Sequence, residues 1–352
     1  GGGPYKSACF VGRGESYACF CPSQMRILIA ATNTIPAGTY GGTERVIWYL
    51  GKELVKLGHE ITYLVNKGST CDFARVIPLD KKKSTAEQIP ADIDVVNFHY
   101  GPREKINKPY VVVMHGNTSN CVELDINTIF VSRKHADRYG SNSFIYNGMD
   151  WDDYGAPNME GKGEYFHFLG KASWRLKNVR GAIQVIKMTR REKLAVLGGY
   201  RFNIKQGIRF TFSRRVKFYG MVGGEEKNRL IRDSKGLIFP VRWHEPMGLA
   251  LVESLYFGCP VFGTPYGSLP EIVKGDVGFL TNKASEMTEA VENAGRFSRR
   301  RCHEYARDNF NSAKMAKEYI ERFTRVLDGE TLNSAPPKLK EIQKEKFLPW
   351  GR

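Results

Sequence analysis

With 352 residues, 41% of them hydrophobic, the chain can form two domains with a sizeable core, which excludes a small disulfide-stapled scaffold. No run approaches the roughly 18 apolar residues of a membrane-spanning helix, and seven scattered cysteines without a Cys-x-x-Cys pair fit neither a zinc site nor a secreted framework, so a reducing, cytoplasmic compartment is expected. The net charge of +16 is uneven: residues 171–217 hold fourteen Lys or Arg against one acid, Glu192, an excess that expects an anionic partner such as a phosphorylated ligand, an anionic membrane surface or nucleic acid.

Residues 1–24, opening Gly-Gly-Gly-Pro and carrying three cysteines, differ from the rest of the chain and read as an appended segment without the apolar region of a secretory signal. A buried first strand is predicted at 26–31, then a helix from about Thr43 to Leu57 with Val46, Ile47, Leu50, Leu54 and Leu57 on one stripe. Short apolar runs at 60–65, 94–98, 110–114 and 128–132 are expected as strands buried on both faces of a parallel sheet. The stretch 147–163, rich in Gly, Asp and Asn, is the candidate connection, giving a first domain over 25–150 and a linker over 151–163. Strands at 165–169, 194–197, 216–219, 236–239 and 260–262, with helices at about 178–190, 224–234 and 247–257, predict a second domain over 164–325. Beyond Ser285 the pattern is helical, and 326–352 reads as a helical or basic tail. The fold class is therefore α/β, with two doubly wound Rossmann-like domains.

Ligands of open parallel sheets bind at the carboxyl ends of the strands, so the loops there carry the chemistry. Gly41-Gly42 opens the first helix, where free N–H groups can face a phosphate. Lys171 and Lys177 lie six apart on the loop after the first strand of the second half and can converge on one diphosphate. In Arg242-Trp243-His244-Glu245-Pro246-Met247-Gly248-Leu249, Pro246 suits a first helical turn and Gly248 permits close approach of a ligand. On one helix Glu245 and Glu253 would stand about 12 Å apart, beyond the reach of a hydrolytic carboxylate pair, and Glu253, amid Leu251, Val252 and Leu255, calls for a hydrogen-bonding partner.

These residues, Glu245 and Glu253 with seven between, Gly41-Gly42, Lys171 with Lys177, and Phe218-Tyr219-Gly220-Met221-Val222 before a helix, together resemble a retaining glycosyltransferase of family 4 with the two-domain GT-B fold, whose domains face across a cleft, over nearly all of 25–325. The resemblance implies transfer of a hexose-type sugar from a nucleotide diphosphate donor of UDP or GDP type to a glycan or lipid-linked acceptor; no resident cofactor is expected, and with cationic side chains available for the leaving group no metal is expected either. By residue it implies Glu245 on the transferred sugar, Glu253 on the ribose, Lys171 and Lys177 on the diphosphate with amides near Gly248 and Leu249, Met221 at the base, and His115, in Met-His-Gly-Asn, facing the sugar. Lys171 stands where the family more often has arginine, which removes bidentate phosphate geometry.

Three further features are weighed against structural readings. His99 either lines the cleft or is packed, and His135 faces solvent or a backbone carbonyl. Asp150-Trp151-Asp152 lies in the linker rather than at a strand end, so a metal role is not expected of it. Arg190, Arg191, Arg201, Arg209, Arg214 and Arg215, with Arg299, Arg300 and Arg301, exceed the needs of one diphosphate and suggest peripheral attachment to an anionic membrane. An epimerase or phosphorylase of the same fold and a basic nucleic-acid binder are the alternatives; the last lacks stacking aromatics among its basic residues, so no nucleic-acid partner is expected.

Overall fold

The structure is a computed structural model describing residues 24–38, 41–161, 163–203 and 209–351. The appended segment, apart from Gln24, thus lies outside the described residues, as do Thr39 and Tyr40 before the glycine pair.

Strand β1 (Arg26–Ala30) leads through α1 (Gly42–Lys56) to β2 (Glu60–Val65), β3 (Arg75–Pro78), β4 (Val95–Phe98), β5 (Tyr110–Met114) and β6 (Thr128–Phe130), with α2 (Arg133–Arg138) next in the chain. The second half runs β7 (Tyr165–Leu169), α3 (Val179–Met188), β8 (Leu194–Leu197), β9 (Phe202–Asn203), β10 (Arg209–Phe210), β11 (Val216–Phe218), α4 (Gly224–Arg232), β12 (Ser234–Phe239), α5 (Leu249–Tyr256) and β13 (Val261–Gly263). It closes with α6 (Leu269–Ile272), β14 (Gly278–Leu280), α7 (Ala284–Glu292), α8 (Arg299–Asn309) and α9 (Ser312–Leu327). Among the described residues these strands form two six-stranded sheets, ordered β3-β2-β1-β4-β5-β6 and β11-β8-β7-β12-β13-β14, and a small antiparallel β9-β10 pair. Both large sheets are parallel and share one doubly wound order, with the switch point between the first and fourth strands of each half.

Burial explains the strands. Ile27, Leu28, Ile29 and Ala30 are all inaccessible, because helices cover both faces of the sheet and alternation disappears. The edge strands β3 and β14 are only partly buried and were not predicted, since a short edge strand lacks the continuous apolar run that marks a central one.

Two expectations are corrected, and the connection takes a definite place. Helix α9, assigned by sequence to the second domain, packs on α1 and β5 of the first. Beyond Leu327 the tail is not helical among its described residues; it is a strap. Leu124 donates to Pro337 and Lys340 to Arg138 in the first domain, and farther on Leu348 donates to Arg242 and Gly351 to Asn282 in the second. The connection 147–163 is anchored under α5, where Trp151 stacks on Tyr256 with centroids 4.2 Å apart, Tyr154 is buried, and the buried carboxylate of Asp150 accepts from Lys52 Nζ at 2.6 Å.

The arginine surface is also smaller than the sequence suggested. Arg201 donates to the carbonyls of Thr211, Ser213 and Val216, and Arg215 to those of Lys187 and Thr189. Arg299 donates to the carbonyls of Asn158, Arg232, Ser234 and Phe257, and Arg301 pairs with Asp276. Arg190, Arg191, Arg214 and Arg300 remain exposed, and the side chain of Arg209 is outside the described residues. No described helix is long and apolar enough to cross a membrane.

Candidate active site

A cavity of about 330 Å³ opens between the carboxyl ends of the two large sheets and is lined by both domains. Three helix starts reach it: Gly41, Gly42 and Thr43 of α1, Gly223 and Gly224 of α4, and Gly248, Leu249 and Ala250 of α5. The first turn of each helix has backbone N–H groups without intrahelical partners and the positive end of the helix dipole, so the wall is suited to an anion. The starts of α1 and α5 are close, since a Cβ on Gly42 would stand 3.1 Å from Leu249 Cδ1. Gly248 holds a left-handed φ of 75°, which only glycine adopts at little cost.

Lys177 and Glu245 meet in this wall. Lys177 Nζ donates to Glu245 Oε1 at 2.8 Å and Oε2 at 2.6 Å, while Trp243 Nε1 donates to Oε2 at 2.8 Å. The rings of Phe239 and Trp243 each lie 5.1 Å from the ammonium, holding it by cation–π attraction. Lys177 reaches this position from a short 3-10 turn that ends at Asn178, whose left-handed backbone and side chain cap α3. Gly267 supports the other partner: its φ is 61°, a Cβ there would fall 2.2 Å from the backbone N of Glu245, and Ser268 donates to the Glu245 carbonyl.

Glu253 lies in the same cavity, 2% exposed, with its carboxylate held by Arg45 of α1, Lys227 of α4 and the Tyr154 hydroxyl. Burial by itself would raise its pKa, but the two cations outweigh that and hold the carboxyl well below the usual carboxylate range. The partners expected for Glu253 are therefore present, Arg45 from the opposite domain, Tyr154 from the connection and Lys227 from its own domain.

His115, directly after β5, also lines the cavity, and burial lowers its pKa to about 4. His99, directly after β4, is absent from the lining and packs behind it, with Nδ1 2.7 Å from His115 Nε2. His135 is buried rather than solvent-facing, its Nε2 2.9 Å from the Gly116 carbonyl, and burial lowers its pKa to about 3.

The structure thus brings Gly41, Gly42, His115, Lys177, Glu245, Gly248, Leu249 and Glu253 together. It does not bring Lys171 or Met221 to the lining: Lys171 is exposed at the start of the 170–178 turn, and at the β11–α4 loop Val222 and Gly223 line the cavity instead of Met221. Nor do the two glutamates share a helix, because α5 begins at Leu249 and Glu245 belongs to the loop before it. Arg45 and Lys227 were missed. The Gly223-Gly224 pair ahead of Lys227 repeats the Gly41-Gly42 pattern ahead of Arg45 and was the available signal.

Comparison with known proteins bears on the fold. Residues 163–295 match the family of glycosyl transferases group 1. A glycosyltransferase involved in avilamycin A biosynthesis has a similar structure, with TM-score 0.72 and 21% identity over 87% of this chain and 99% of that one. The fold is GT-B. Other GT-B structures similar to this chain include the catalytic domain of starch synthase IV from Arabidopsis thaliana bound to ADP and acarbose, with TM-score 0.67 and 13% identity over 87% of this chain and 100% of that one. The HepE protein of Anabaena in complex with UDP and glucose is a further GT-B relative in structure, with TM-score 0.61 and 13% identity over 86% of this chain and 100% of that one. The search of curated proteins returned no match.

Proposed function

We propose that the protein is a retaining hexosyltransferase that takes its sugar from a nucleoside diphosphate donor bound in the cavity between the domains. The observation that carries this reading is the convergence of three helix N-termini and the Lys177–Glu245 pair on one cavity. The diphosphate would lie against the starts of α1, α4 and α5, with Lys177 as its point charge. As the bond from the anomeric carbon to the phosphate oxygen breaks, negative charge grows on the leaving group, and amides already aligned there stabilise it without reorganisation. Glu245 would orient the sugar, Glu253 the ribose, and His115 the sugar from the opposite side; the acceptor hydroxyl would attack from the face the leaving group vacates and pass its proton to the departing phosphate. Cationic side chains supply what a divalent ion would supply elsewhere, so the reaction would be metal-independent. UDP, as in the Anabaena structure, and ADP, as in the Arabidopsis one, are donor nucleotides to test beside GDP. The acceptor would be a glycan or a lipid-linked glycan at an anionic membrane surface, met peripherally through Arg190, Arg191 and Arg214.

A thermal-shift panel of UDP, GDP, ADP and their sugars tests donor binding, because a ligand of the folded state alone raises its apparent stability. One nucleotide and its sugars should raise the melting temperature, and the anomeric configuration of the product should match the donor's. No shift with any member would remove the reading.

A further inference from the structure

We propose that His99 is a positioning residue that fixes the tautomer of His115, so that His115 meets its ligand as a neutral donor through Nδ1–H. This rests on the placement of His115 beside the sugar proposed above. His99 and His115 come directly after adjacent parallel strands, β4 and β5, and their rings lie 5.0 Å apart with planes 15° from parallel. Their facing nitrogens, His99 Nδ1 and His115 Nε2, are 2.7 Å apart, so one of the two carries the proton between them.

Asn97 decides which. Its side chain is inaccessible, and Nδ2 lies 3.4 Å from His99 Nε2 while Oδ1 has no partner. The reverse amide orientation would leave both N–H donors of the buried amide unpaired, and an orphaned donor is rarer than an orphaned carbonyl. The amide therefore donates to His99 Nε2, His99 donates from Nδ1 to His115 Nε2, and Nδ1–H of His115 is left for a ligand. Burial lowers the pKa of both rings, His115 to about 4, so the pair is neutral at physiological pH. The other titratable groups facing the pair do not reverse this: His135, held against Gly116, is itself neutral, and across the cavity Lys177 and Glu245 compensate each other.

The decisive measurement is ring-nitrogen NMR of 15N-histidine-labelled protein without ligand, which reads the tautomer whether or not the protein transfers sugar. The expected result is a single neutral His115 tautomer protonated at Nδ1 and unchanged down to pH 5. An Nε2–H tautomer, or titration near 6.5, would overturn the proposal. In His99→Phe, which keeps a ring and the burial but no hydrogen bond, His115 should stay neutral and show mixed tautomers, and turnover should fall about 10- to 100-fold at unchanged donor KM. His99→Gln, whose amide can donate, should restore most of the turnover. An unchanged His115 spectrum in His99→Phe with wild-type melting would likewise overturn it. Loss of transfer with the expected spectra intact would count against the transferase reading instead.

Discussion

Lys177 Nζ sits 2.6 Å from Glu245 Oε2, so the group expected to neutralise phosphate and the group expected to hold the sugar form one ion pair. Both are largely shielded, with side-chain exposures of 12% and 7%. A donor anion at Lys177, as proposed, would therefore compete with Glu245, and the carboxylate released from the ammonium would be free to accept from a sugar hydroxyl. The ion pair would then couple the two halves of donor recognition.

Lys177→Ala should abolish measurable nucleoside diphosphate binding and lower turnover by about 10²- to 10³-fold, the usual loss for a donor that stabilises developing charge. Lys171→Ala, at an exposed position off the cavity, should change affinity less than threefold. Calorimetric titration of both variants with the nucleotide chosen by thermal shift decides it. Equal losses would return Lys171 to the phosphate site.

Glu253→Gln should destabilise the fold by about 3 to 5 kcal/mol, because Arg45 and Lys227 would be left partly or wholly buried without their anion. Glu245→Gln, which leaves one cation rather than two without its anion, should destabilise less and lose turnover rather than donor affinity, while Glu253→Gln should lose affinity. Urea unfolding with steady-state kinetics separates the two, and a stable Glu253→Gln would show that the cluster is not held by charge.

Acid should destabilise the protein from about pH 6.5 downward. His167, inaccessible between the hydroxyls of Ser234 and Ser254, and His135 both have pKa values lowered by burial to about 3. Between those values and the unfolded value near 6.5 the unfolded chain binds more protons, so each histidine removes roughly 1.4 kcal/mol of stability per pH unit as the pH falls. Unfolding free energies at several pH values should show a slope that His167→Gln reduces by about one proton. A slope unchanged by that substitution would mean that His167 is protonated in the folded state.

Gly267→Ala should reduce activity without contact with substrate. The new Cβ would collide with the backbone of Glu245 and displace the loop that carries the carboxylate. Turnover should fall at least tenfold with donor affinity altered less; wild-type turnover would show that the loop relaxes freely.

Turnover should persist in excess EDTA, since Asp150 is paired with Lys52 and Lys177, with the three helix starts, would take the charge a divalent ion would otherwise carry. Complete loss of turnover restored by magnesium or manganese would overturn metal independence.

Much of the architecture was legible in the chain. The apolar runs at 110–114, 165–169 and 194–197 coincide with strands, because a strand covered on both faces leaves a continuous hydrophobic signature that needs no tertiary information. The Gly41-Gly42 pair at a helix start marked one part of the cavity wall for a similarly local reason. What only the tertiary structure decided are relations between residues far apart in sequence: Arg45 with Glu253, Lys177 with Glu245, α9 on the first sheet, and the strap from Pro337 to Gly351. Periodicity reports which face of an element is buried. It does not report which distant charge meets that face, because that pairing depends on how the two sheets are set against each other. Lys171 shows the consequence: composition and spacing made it equivalent to Lys177, and one short turn of backbone put only the second into the cavity.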